Sequence, residues 1–79
     1  MLLDVLYVVP QKDYILVLEF ENGERRRFDM APYIDQKPWD TLKTKNTFLS
    51  ASVEFGTVVW PNNIDIDPET LYERSTPLS

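Results

Sequence analysis

Tyr14-Ile15-Leu16-Val17-Leu18-Glu19-Phe20 is the stretch from which the fold can be read. β-Branched, aliphatic and aromatic residues fill it, polar turn residues bound it, and both of its alternating faces are apolar. A strand apolar on both faces belongs in the middle of a sheet, with a neighbour on each side and cover on each face. The segments before and after it are therefore expected to pair with it as hairpins.

Upstream, Leu3 to Val9 reads as a strand ended by the turn cluster Pro10-Gln11-Lys12-Asp13. With those four residues as the loop, Val9 faces Tyr14, Tyr7 faces Leu16, Val5 faces Leu18 and Leu3 faces Phe20. All of these are apolar or aromatic, which is how a hydrophobic pattern specifies a register. Downstream, Glu21-Asn22-Gly23 offers two registers. A two-residue Asn22-Gly23 loop is the commoner hairpin turn, but it sets Leu16 opposite Asp29 and Leu18 opposite Arg27. A three-residue loop with Gly23 in a left-handed bulge sets Leu16 opposite Phe28, Tyr14 opposite Met30 and Glu19 opposite Arg25. Burial of Phe28 is worth about 2 kcal/mol and the Glu19–Arg25 pair about 0.5 kcal/mol, so the bulged loop is preferred. It leaves Leu18 opposite Arg26, tolerable where Arg26 sits at the sheet margin and its guanidinium reaches outward.

A three-stranded antiparallel meander follows. Its expected core face holds Leu3, Val5, Tyr7, Val9, Leu16, Leu18, Phe20, Phe28 and Met30. The other face carries a smaller apolar patch, Leu6, Val8, Ile15 and Val17, inside a rim of Asp4, Glu19, Arg25, Arg27 and Asp29. Between Ala31 and Asn46, Pro32 and Pro38 mark a connection, with Trp39-Asp40-Thr41-Leu42 suited to a short helical turn. Asn46 or Thr47 is expected to cap another turn carrying Phe48 and Leu49. Ser50–Phe55 and Thr57–Trp60 read as a second hairpin around Phe55-Gly56, with Ala51 and Val53 on the face of Val58 and Trp60. Pro61 ends that strand and Asn62-Asn63 turns the chain. Asp67 is a good helix N-cap, Pro68 occupies the first helical position, and Glu69 falls in the first turn. Leu71 and Tyr72 anchor that last turn, and residues 75–79 read as a frayed tail. The fold class expected is α+β, mainly β: a three-stranded antiparallel meander plus a second short hairpin, with one to three short helical turns, in a single small domain spanning residues 1–79.

Composition limits function. Seventy-nine residues make one domain at most. The chain has no Cys and no His. That removes disulfides, thiolate chemistry, imidazole acid–base catalysis and the usual zinc and copper ligand sets. A net charge of -5 opposes direct binding to nucleic acid or anionic membranes and suits a basic partner. Met1-Leu2-Leu3-Asp4 lacks a basic region and meets an acid at once, so no signal peptide is expected. No apolar run approaches the roughly 20 residues of a membrane span, and a cytoplasmic location is expected.

Each cluster that carries chemistry also has a plain structural reading. Asn62, Asp65 and Asp67 place oxygen ligands as in part of a calcium loop, but the glycine and the distal bidentate glutamate of that motif are missing. A turn followed by a helix cap accounts for the same residues without an ion, and no metal is expected. Arg25-Arg26-Arg27 is the one concentration of positive charge. Strand alternation sends Arg26 to one face and its neighbours to the other, where they neutralise Glu19 and Asp29. Ser50 and Ser52 have no histidine to activate them, and nothing in the spacing of Glu54, Asp65 and Asp67 demands an acid–base pair. Of the aromatics Trp39, Trp60, Tyr33 and Tyr72, most must fill the core, with one or two left at the surface.

Thr57-Val58-Val59-Trp60-Pro61-Asn62-Asn63-Ile64-Asp65-Ile66-Asp67-Pro68-Glu69-Thr70-Leu71-Tyr72 resembles the closing signature of the bacterial and phage family known as domain-of-unknown-function 2442. That signature is a strand ending in Trp-Pro, then Asn-Gly, then an Asp-x-Asp-Pro-Glu-x-Leu-Tyr turn of helix. Asn63 stands where the family usually has glycine, and asparagine tolerates a left-handed turn. Leu16 to Glu24, with Phe28-Asp29 and Pro32, is similar to the family's front half. The resemblance implies an α+β domain with no established enzymatic activity and no catalytic residues to carry over, and no cofactor is expected. It also implies two contexts. Some relatives carry a helix-turn-helix domain, and others are encoded beside a second small protein in a toxin–antitoxin-like arrangement.

The function expected is a non-catalytic protein-interaction module, including the version in which it is the antitoxin-like member of a gene pair, with Leu6, Val8, Ile15 and Val17 as its contact patch. The alternative is a ligand- or metal-sensing accessory domain, related to the N-terminal part of helix-turn-helix regulators, that uses Asn62, Asp65 and Asp67. The partner expected is a protein, with the product of a neighbouring gene as one candidate. Homodimerisation through the patch is compatible with either reading.

Overall fold

A computed structural model describes residues 3–43 and 47–78. Two antiparallel sheets face each other across one core. The first has strand order β1-β2-β3-β7, formed by Val5–Gln11, Ile15–Phe20, Arg25–Asp29 and Thr76–Pro77. The second has order β4-β5-β6, formed by Ser52–Glu54, Thr57–Trp60 and Ile64–Ile66. A single α-helix, α1 (Pro68–Glu73), and 3-10 turns at Lys12–Tyr14, Trp39–Lys43 and Phe48–Ser50 complete the described secondary structure. The class is α+β and mainly β, as expected. The meander, the second hairpin and the helical turns after Pro38 and before Ala51 are all present.

The β2–β3 register is the one chosen on the burial of Phe28. Leu16 pairs with Phe28, Leu18 with Arg26 and Glu19 with Arg25. Phe20 N–H donates to the Glu24 carbonyl at 2.9 Å, and Gly23 turns the chain with φ of +88°. Met30 N–H donates to the Tyr14 carbonyl at 2.8 Å, which extends the pairing.

The β1–β2 register differs from expectation. Val8, not Val5, lies opposite Leu18, and Val9 lies opposite Val17. The turn sits at Lys12–Tyr14, two residues later than the proline suggests, with Asp13 and Tyr14 both left-handed. Pro10 stays inside β1 because β1 is an edge strand, where a missing N–H is tolerated. The shift is by three residues, and an odd shift exchanges the two faces of a strand. Tyr7 and Val9 therefore point away from the core, while Val8 packs against it. A bulge between Val5 and Tyr7 then flips the strand again and returns Val5 to the interior, opposite Phe20.

The core is shared by Val5, Leu16, Leu18, Phe20, Phe28 and Met30 of the first sheet region with Val58, Trp60, Ile64 and Ile66 of the second. Ile34, Leu42, Phe48 and Leu71 close it from the connecting turns and α1. Strand β6 was not expected. Its alternation, Ile64 and Ile66 in and Asp65 out, is visible in sequence but is only three residues long. The Asn62-Asn63 turn before it is left-handed at both residues, with φ of +72° and +61°. Thr47 precedes the Phe48 turn without a side-chain cap bond, and Asn46, the other expected cap, lies outside the described residues.

The expected tail is corrected for residues 75–78. Ser75 is buried, Thr76 and Pro77 pair with Arg27 and Arg26, and Leu78 N–H donates to the Arg25 carbonyl at 3.1 Å. Ser79 lies outside the described residues. Arg26 makes this closure. Its Nε donates to Ser75 Oγ at 2.6 Å, a terminal nitrogen donates to the Ser75 carbonyl at 2.8 Å, and its guanidinium carbon lies 4.5 Å from the centre of the Tyr72 ring. What looked in sequence like an imperfect partner for Leu18 ties β3 to α1 and the chain end.

Candidate functional site

The face of the first sheet opposite the core is a grid set by the registers. One row is Gln11, Ile15 and Asp29; the next is Val9, Val17 and Arg27; the third is Tyr7, Glu19 and Arg25. Among the described residues, none of the core contacts of the second sheet or α1 falls on this face. Tyr7 is 65% exposed and Val9 54% exposed, while Val17 is half-buried. Ile15 is 7% exposed although it belongs to this row and not to the core cluster. Arg25 and Glu19 form a cross-strand ion pair at 4.0 Å, as expected, and both Arg25 and Arg27 are exposed on this face while Arg26 is not.

Of the four patch residues read from the sequence, Ile15 and Val17 lie on this face. Leu6 occupies the bulge and is 48% exposed. Val8 is corrected: the register shift turns it toward Leu18 and the core, and Val9 takes its place beside Val17. Tyr7 joins the patch for the same reason. The bulge and the late turn are what the sequence pattern did not disclose, because both candidate faces of Leu3–Val9 are apolar.

Asn62, Asp65 and Asp67 are near one another in the chain but do different work. Asn62 and Asp65 share a shallow cleft with Phe55, Trp60 and Ile64. Asp65 is exposed on β6, and its carbonyl accepts the Trp39 indole N–H at 3.0 Å. Asp67 caps α1: one carboxylate oxygen accepts Thr70 N–H at 3.0 Å and the other accepts the Thr70 hydroxyl at 2.8 Å. Among the described residues, no three acidic side chains gather as a metal-binding group.

The Thr70 N–H bond, aided by the Thr70 hydroxyl and opposed by partial burial, holds the Asp67 carboxyl below the 3.8 of an unperturbed aspartate. A depressed folded-state pKa contributes stability that is complete above the unfolded value and is lost as pH falls through the folded one. Asp67→Ala is therefore expected to cost about 1 kcal/mol at neutral pH. The gap between wild type and variant should close as the pH is lowered below 3.8. Urea melts at several pH values read this directly, and a gap that stays constant into strong acid contradicts it.

The aromatics also sort differently from expectation. Trp60 is buried, while Tyr33, Trp39 and Tyr72 are partly buried against the core. The exposed rings belong to Tyr7 and to Phe55, which is 99% exposed at the tip of the β4–β5 turn. The sequence pattern places Phe55 only in a turn. Its left-handed neighbour Gly56 was the available signal that the side chain before it stands on a hairpin tip.

No described helix is long and apolar enough to cross a membrane. Residues 5–77 match the family model for a protein of unknown function, DUF2442. No curated protein and no solved structure matches the chain.

Proposed function

The chain belongs to the DUF2442 family, and from that premise we propose that it works as a non-catalytic protein-interaction module. The observation that carries this reading is the sheet face opposite the core, where Tyr7, Val9 and Val17 form an apolar strip edged by Glu19, Arg25, Arg27 and Asp29. Apolar centres with charged rims are how protein interfaces are built. The absence of Cys and His from the sequence leaves little for catalysis to use. A net charge of -5 favours a partner that is basic overall. In the finer version of the reading, that partner is the product of a neighbouring small gene, and this chain is the antitoxin-like member of the pair. The cytoplasm is the compartment proposed for it.

Val17→Asp puts a carboxylate at the centre of the strip, and the protein is expected to remain folded while capture of its partner falls at least tenfold. The measurement is a pull-down from native host lysate with mass-spectrometric readout, alongside a thermal melt of the variant. Undiminished capture by a folded Val17→Asp protein rules this face out. Coexpression tests the finer version: growth arrest caused by the neighbouring gene product and relieved by this chain supports it, and unrelieved arrest opposes it.

A further inference from the structure

Phe55 carries two local costs at once. It is 99% exposed, and it adopts φ of +54°, a conformation unfavourable for a bulky side chain and easy for asparagine or glycine. Neither cost is offset within the fold, since the ring packs on nothing that a smaller residue would leave empty. The turn itself is rigidly held. Val5 N–H donates to the Gly56 carbonyl at 2.9 Å, and a Cβ at Gly56 would lie 2.6 Å from the Asp4 carboxyl carbon. The ring is thus presented on a braced tip, and its surroundings are acidic: Glu54 precedes it, Asp4 lies against Gly56, and Asp65 lines the cleft beside it.

A matching receptor must be apolar inside and basic at its edge. A cleft with apolar walls and lysines at its edge lies at the opposite end of β1. It has a volume of about 290 Å³, enough for a phenyl ring, with Tyr14, Leu42, Phe48 and Leu49 as its apolar walls and Lys12 and Lys43 at its edge. Lys43 is paired with Asp35, and Asp13 also borders the cleft, whereas Lys12 has no ion pair among the described residues. Ring and cleft sit at the two ends of one strand, so a two-fold arrangement can seat both rings reciprocally.

We propose that Phe55 is the knob of a self-association contact, seated in the Tyr14–Phe48 cleft of a second copy of this chain, with Glu54 set toward Lys12. The contact goes beyond the partner-binding reading and does not use Val9 or Val17, so the sheet face stays available. Two rings and their rims make an interface smaller than that of a permanent dimer, and the association is weak and concentration-dependent.

Sedimentation equilibrium over the micromolar to millimolar range tests it. Wild type is expected to shift from monomer to dimer, and Phe55→Asn, which suits the left-handed turn and should melt no lower than wild type, to weaken dimerisation roughly tenfold or more. Lys12→Glu is expected to weaken it as well, and combining Lys12→Glu with Glu54→Lys to restore it. A wild type that stays monomeric throughout, a Phe55→Asn variant that associates as wild type does, or a charge swap that fails to restore association overturns the proposal. So does a monomeric wild type whose capture of a lysate partner depends on Phe55, which would assign the ring to a different protein.

Discussion

Trp60→Ala is expected to lower stability by about 3–5 kcal/mol, the usual cost of emptying a large aromatic site. The Trp60 side chain is 3% exposed, and its ring centre lies 5.9 Å from that of Phe48. Its indole N–H donates to the Phe48 carbonyl at 3.0 Å, a buried bond that joins the second sheet to the turn before it. Removal of the ring opens a cavity between the sheets and leaves that carbonyl without its donor. At roughly 0.05–0.15 kcal/mol per residue, a domain of this length holds only about 4–12 kcal/mol in total. The loss is then a large fraction of all the stability there is, and at the lower end of that range it leaves a substantial unfolded population at room temperature. Trp60→Phe separates the two contributions, since it keeps much of the apolar volume and forfeits the hydrogen bond, at about 1–3 kcal/mol. Urea denaturation followed by circular dichroism reads both variants. A Trp60→Ala protein within 1 kcal/mol of wild type would mean that the two sheets do not depend on this ring.

Arg26→Ala is expected to cost about 2–3 kcal/mol and to release the chain end. Its guanidinium makes two hydrogen bonds to Ser75 and lies over the Tyr72 ring, with only 13% of the side chain exposed. The Tyr72 hydroxyl in turn donates to Glu24. That bond, with Asn22 adding to it, holds the Glu24 carboxyl below its ordinary value, and the same bond raises the Tyr72 phenol. With the guanidinium gone, Ser75 keeps its bond to the Tyr72 carbonyl but loses its tie to β3. Strand β7, two residues long, has little else to hold it. Hydrogen exchange at the Leu78 amide should therefore accelerate far more than exchange in β2. Arg25→Ala provides the control. Its ion pair with Glu19 is long and exposed, worth less than about 0.5 kcal/mol. Equal effects from the two substitutions would show that charge, rather than the Ser75 and Tyr72 contacts, is what matters at Arg26.

Much of the architecture was legible because local signals agreed with one another. Asn22-Gly23 with Glu19, Arg25 and Phe28 specified the β2–β3 register, since only one loop length puts Phe28 beside Leu16. Asp67-Pro68-Glu69 specified the start of α1, because N-cap, first-position proline and first-turn acid are independent preferences that coincide. Ala51, Val53, Val58 and Trp60 were placed on one face by simple alternation around Phe55-Gly56.

The candidate surface was only half legible, for a reason that lies in the residues of β1. Leu6, Tyr7, Val8 and Val9 are all apolar or aromatic, so alternation cannot say which pair is buried. The sequence by itself determined that Ile15–Phe20 is the central strand of an antiparallel meander, how it meets Arg25–Asp29, and where the final helix begins. Only the tertiary structure decided that the first turn falls at Lys12–Tyr14, that a bulge returns Val5 to the core, that Phe55 stands exposed, and that Arg26 closes the chain end on Ser75. Those outcomes rest on contacts between residues far apart in the chain, where competition for one shared interior settles what local preference leaves tied.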